Sequence, residues 1–143
     1  MAKSDVELDF PALVGKDYDL SDEDINCNCL AFALGDHSNW WEPPKGSGQY
    51  WPPGFPEDTT VKTAEAIIRV HGFTVVTSKD EIPETDAIAI YAIGEDWTHF
   101  AKFSGGTWKS KLGEGHDIER VNLDDLTVDM YGEVVMVLSR PKQ

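Results

Sequence analysis

The chain has 143 residues, 41% of them apolar and 27% charged, an ordinary globular balance with length for one core and hence one domain over residues 1–143. Its formal charge of −14 leaves no basic footprint, so neither nucleic-acid backbones nor anionic membrane surfaces are expected partners. No apolar run approaches a membrane span, and the opening "MAKSDVELDF" lacks the apolar centre of an export signal, which places the protein in the cytoplasm.

Residues 1–24 are polar and acidic with a few apolar anchors (Phe10, Leu13, Val14, Tyr18) and read as an irregular arm lying on the domain. Cys29–Leu34 reads as a helix apolar on every side, hence buried, with Gly35 as its stop. Residues 36–58 carry "WW", "PP", "GSG" and "YWPPGFP", too much Pro and Gly for regular structure. "TTVKTAEAIIRVHG" is an amphipathic helix: Thr59 or Thr60 caps it, Val61, Ala64, Ile67, Ile68 and His71 share a face, and Gly72 ends it. "FTVVT" is a short strand, "DEIPETD" a turn, and "AIAIYAI" an apolar run suited to a central strand. "WTHFAKF" and "TWKSKL" flank Gly105-Gly106, the signature of a type I′ hairpin, and "EVVMVLS" is a closing strand. Helices first and strands after indicate α+β.

Cys27 and Cys29 are the two cysteines, too few for a disulfide framework and too close in sequence to pair without strain, so free thiols are expected. Only one of them can begin the helix, and that is Cys29, where backbone N–H groups favour a thiolate. A nucleophilic thiol also needs a base, and His99 at the start of the hairpin is the candidate. The Gly-Gly turn pairs Phe103 with Trp108, Ala101 with Ser110 and His99 with Leu112. Ser110 then lies diagonal to His99, able to hold the imidazole by its other nitrogen, with Asp117 the fallback. Lys102 and Lys109 fall opposite each other on the other face. Asn26 and Asn28 are candidate oxyanion donors. Trp40, Trp41 and Trp51 are candidate walls for a substrate, though aromatics packed over a small core read the same way. Zinc is not expected, because C-x-C lacks the usual spacing and no second cysteine pair exists; no cofactor is called for. His37 reads as a cap or solvent residue, His71 as a partner of its helix C-terminus, and His116 as a loop residue.

"NCLAFA" at 28–33, then "PETDAIAIYAI", then "HFAKFSGGTWKS" resembles the order of motifs in the NlpC-type branch of papain-like cysteine peptidases. In that resemblance Cys29 matches the nucleophile, Pro83 and Asp86 the turn before an apolar strand, and His99 the base. Trp108 matches an aromatic two positions before the third catalytic place, which Ser110 occupies. Asn28 stands where that family carries an acid, and Ser110 where it carries His, Asn or Asp. More narrowly, "NCLAFALGD", "YWPPG" and "WKSKLG" resemble an uncharacterised bacterial domain family. The first resemblance implies a papain-like α+β domain, N-terminal helices packed on an antiparallel sheet, and cleavage or transfer at a peptide or protein amide through an acyl-thioester. Two other functions fit the same residues: a binding module that has lost a competent third residue, and a deamidase acting on a protein side-chain amide.

Overall fold

Strands come from the apolar second half, as their composition requires, and also from two charged stretches that do not read as strands. The computed structural model describes residues 2–23, 26–43, 49–76, 85–112, 116–128 and 131–141. Three short α-helices are present among them: α1 (Ala2–Asp9), α2 (Cys29–Ala33) and α3 (Val61–Val70). The main sheet is built from β1 (Asp19–Glu23), β4 (Thr74–Val75), β5 (Thr85–Ile93), β6 (Asp96–Ser104), β7 (Thr107–Lys111), β8 (His116–Val121) and β9 (Glu133–Pro141). Its order is β1-β8-β7-β6-β5-β9-β4, every neighbouring pair antiparallel. A separate parallel pair joins β2 (Trp40–Trp41) to β3 (Gln49–Tyr50).

This corrects the papain-like α+β expectation of N-terminal helices packed on a sheet. The molecule is mostly antiparallel sheet with three short helices, and its N-terminal part contributes an edge strand rather than an irregular arm. The reason lies in β1 and β8. "DLSDE" pairs with "HDIERV" along its backbone, so hydrogen bonds rather than an apolar face recruit it. His116, expected in a loop, opens β8 and meets the Ser21 carbonyl at 2.6 Å through Nδ1. In the region expected to be irregular, Trp40–Trp41 and Gln49–Tyr50 pair over two residues each. Most of the expected turn at 80–86, Pro83 included, lies outside the described residues, while Asp86 falls in β5.

The other elements follow their local chemistry. Thr60 caps α3 by accepting the Thr63 N–H at 3.2 Å, and Ala64, Ile67 and Ile68 are buried on one face. The hairpin of β6 and β7 has the register its glycines dictate, Ala101 to Ser110 and Phe103 to Trp108, with Gly105 and Gly106 at φ +61° and +85° as a type I′ turn requires.

Strand alternation splits the interior into two cores. Ile88, Ile90 and Phe100 pack against α2 and α3. Ala89, Tyr91 and Ala101 face the other way, where Val6, Phe10, Leu13 and Tyr18 of the N-terminal segment cover them together with Ile118, Leu123 and Leu126. Each buried Leu, Ile or Phe stabilises the fold by roughly 1.5–3 kcal/mol, so the N-terminal segment is part of the core. Among the described residues no helix is long and apolar enough to cross a membrane.

Candidate active site

Asn28 sets the start of α2. Its Oδ1 accepts the Ala31 N–H and the Trp41 N–H, both at 3.1 Å, and its Nδ2 donates to the Trp41 carbonyl at 2.9 Å. The side chain therefore caps the helix and clamps β2 to it, with one of its two Nδ2 hydrogens committed to the Trp41 carbonyl. Cys29 follows as the first helical residue, 9% exposed. Burial pushes its thiol up to about 12, while hydrogen bonds from the backbone of Phe100, Leu30 and Cys29 itself pull the other way. The thiol is protonated at neutral pH. Cys27 is fully buried, and neither cysteine is in a disulfide.

His99 lies on β6 opposite Tyr91 and is 1% exposed. Its ring stacks on Tyr131, centroids 3.9 Å apart and planes 5° off parallel, and Tyr91 meets it edge-on at 5.4 Å. Burial drives its pKa down to about 3, so the imidazole is neutral. His99 Nε2 and Ser110 Oγ form a hydrogen bond, the diagonal contact that the hairpin register makes available. Ser110 Oγ donates its single proton to the Phe100 carbonyl at 3.1 Å. Toward His99 it can then only accept, which assigns the imidazole hydrogen to Nε2 and the lone pair to Nδ1. Among the described residues Nδ1 has no hydrogen-bond partner.

The Cys29 thiol, on α2, and the His99 imidazole, on β6, belong to different packing clusters. Cys29 packs with the Phe100 core, whereas His99 points into the core of Tyr91 and Ala101. Phe100 joins them: its backbone hydrogen-bonds the thiol, and its carbonyl takes the Ser110 proton. Tyr131 stands close to both, stacked on the ring of His99 and near enough to Cys29 that a thiolate there raises the phenol further.

The remaining candidates are placed elsewhere. Asp117 cannot orient His99, since it sits opposite Lys111, one residue beyond Ser110 and so on the other face, and pairs with that fully buried lysine at 3.0 Å. Trp51 is buried, its indole N–H bonded to the Pro56 carbonyl at 2.8 Å. Trp41 is buried too, with its N–H on Asp36 at 2.9 Å, so both walls expected for a substrate belong to the core. Trp40 is half-buried in β2. His71 bonds the Ile67 carbonyl at 3.0 Å, and exposed His37 meets the edge of Phe32. Tyr131 and the Phe100 backbone escaped the sequence reading. The legible signal for Tyr131 was its position before Gly132 at a strand start.

A family model described as a domain of unknown function, DUF7689, matches residues 18–139. The chain belongs to that family. The DUF7689 region contains Cys29, His99, Ser110 and Tyr131 and leaves α1 outside. No curated protein and no solved structure matches the chain.

Proposed function

We propose that this DUF7689 protein is a thiol-dependent hydrolase acting in the cytoplasm on a peptide or protein amide, with Cys29 as nucleophile, His99 as base and Ser110 as its orienter. The observation that carries this reading is the contact of Ser110 Oγ with His99 Nε2, from which the Nε2–H tautomer is assigned. Ser110 holds Nε2–H in place and leaves the Nδ1 lone pair uncommitted, beside a residue, Phe100, whose backbone already bonds the Cys29 thiol. Nδ1 takes the thiol proton as sulfur attacks the amide carbon, and the imidazolium returns that proton to the departing amine. A water, deprotonated by the same nitrogen, then opens the thioester and releases the acid. The Cys29 N–H is the oxyanion donor available on α2. The pair begins neutral and on two sides of β6, so substrate binding must bring thiol and imidazole together before the first proton moves.

A second reading, a binding module without catalysis, is favoured by the burial of both groups, 9% and 1% exposed. Trapping of Cys29 by a peptidyl vinyl sulfone, which takes the substrate's place, read as a covalent adduct by mass spectrometry, separates the two. The enzyme reading expects adduct formation near pH 7 to drop at least tenfold in His99→Gln. No Cys29 adduct, or an equal yield in both proteins, leaves only the binding module. Ammonia release from protein substrates, without chain cleavage, identifies the reaction as deamidation.

A further inference from the structure

On the α2 side of the sheet a groove of about 430 Å³ runs between the helix and the far strands, a volume suited to a small ligand. Its floor is one cross-strand row: Lys102 on β6 pairs with Lys109 on β7, Lys109 with Glu119 on β8, and Glu119 with Asp19 on β1. Phe32 and His37 form its wall. Three carboxylates line this groove, and each meets a cation, Asp19 sharing its Arg120 with Asp17. Glu119 meets Lys109 at 3.7 Å, Asp117 meets Lys111 at 3.0 Å, and Asp19 meets Arg120 at 2.8 Å.

Lys102 is different. It is half-buried, and its ammonium lies over the Phe32 ring, 4.4 Å from the centroid. Among the described residues it has no carboxylate within ion-pair distance. It also stands directly opposite Lys109, an arrangement of like charges that costs free energy in a sheet, and it lines a second, smaller cavity where Asp86 already faces Arg140 at 3.9 Å. We propose that the groove binds a small monocarboxylate, its anionic end on Lys102 and its body along Phe32 and His37.

Charge and size select that class. Lys102 is the one lysine of the lining that no carboxylate meets at ion-pair distance among the described residues, a single positive charge that a monoanion neutralises and a phosphate dianion exceeds. The chain's overall −14 does not oppose this, because at physiological ionic strength charges beyond about 8 Å are largely screened and the ligand meets Lys102 at contact. The site makes no use of Cys29 or His99, so it stands whether or not the chain is a hydrolase.

A two-dimensional NMR titration at constant ionic strength with benzoate, benzamide and inorganic phosphate tests it. Benzoate is expected to give saturable shifts confined to Phe32, His37, Lys102 and Lys109. Lys102→Met, which keeps the stem over Phe32, is expected to weaken that binding at least tenfold, while Lys62→Met on exposed α3 surface leaves it unchanged. The proposal is overturned if no saturable shifts occur in the groove, if benzamide binds as well as benzoate, if phosphate binds more tightly, or if Lys102→Met binds benzoate like the parent protein.

Discussion

Ser110 accepts the Nε2–H of His99 and hands its own hydroxyl proton to the carbonyl of the next residue along that strand, Phe100. One buried hydroxyl thus decides which imidazole nitrogen carries the hydrogen. Ser110→Ala leaves that N–H without an acceptor in a dry interior, at a cost of about 1–3 kcal/mol. Urea unfolding reads the loss. Imidazole ¹⁵N shifts read its origin: a single Nε2–H tautomer in the parent protein and a mixture in the variant. A single unchanged tautomer in Ser110→Ala would show that Ser110 does not set it.

The pH dependence of stability carries a His99 signature. Its folded pKa is about 3 against 6.5 for the free side chain, so as pH falls the unfolded chain takes the proton first. The stability present in full above pH 6.5 is therefore lost as pH falls toward 3. Between pH 7 and 5 the loss amounts to about 2 kcal/mol, a window in which the carboxylates of Asp17, Asp19, Asp36 and Asp58, all held low in the fold, remain ionised. Denaturant unfolding at both pH values is expected to show this drop in the parent protein and its absence in His99→Gln.

Asn28 makes three hydrogen bonds that join α2 to β2. Asn28→Ala removes the helix cap and strands the Trp41 amide and carbonyl, which together destabilise by roughly 2–4 kcal/mol. Asn28→Asp retains the Oδ1 that accepts both N–H groups but turns a carboxylate oxygen toward the Trp41 carbonyl, so it recovers only part of the loss. Thermal unfolding of the three proteins is expected to rank Asn above Asp above Ala.

Gly132 sits at φ +74°, and a Cβ there would lie 2.2 Å from the Ala92 carbonyl oxygen. Gly132→Ala must push the strand start away from β5, at a cost of roughly 3 kcal/mol or more, and it carries Tyr131 off His99. Calorimetry reports the first effect. The second is a rise in His99 modification by diethyl pyrocarbonate under conditions where the protein stays folded.

Local chemistry made much of the fold legible. Thr60 and Gly72 bound α3, and the Gly105-Gly106 turn dictates a register that puts Ser110 diagonal to His99. β8 hid because it is bulged. Trp108 pairs with Val121 and Lys109 with Glu119, so Arg120, at φ +62°, is the extra residue, and Ile118 and Val121 share a face at a spacing of three instead of two. A period-two reading misses such a strand. A bulge at Thr98 likewise sends Trp97 to the Phe100 side. Which face of β6 would receive α2 was not readable either, since alternation says only that Phe100 and His99 differ. That choice placed His99 away from the helix that carries Cys29. The same geometry removed Asp117 as its partner, one position past Ser110 in the register.

The boundary of the family region has a practical meaning for the sheet. Val6, Phe10 and Leu13 are buried against Tyr91, Ala101 and Ile118, yet all three precede residue 18, where the DUF7689 match begins. A protein trimmed to the matched span would bare the roof of its second core, and an apolar floor of that kind, reaching from β5 to β8, is an adhesive surface. The N-terminal segment therefore acts as built-in shielding against self-association, and it belongs in any version of the protein meant to stay in solution.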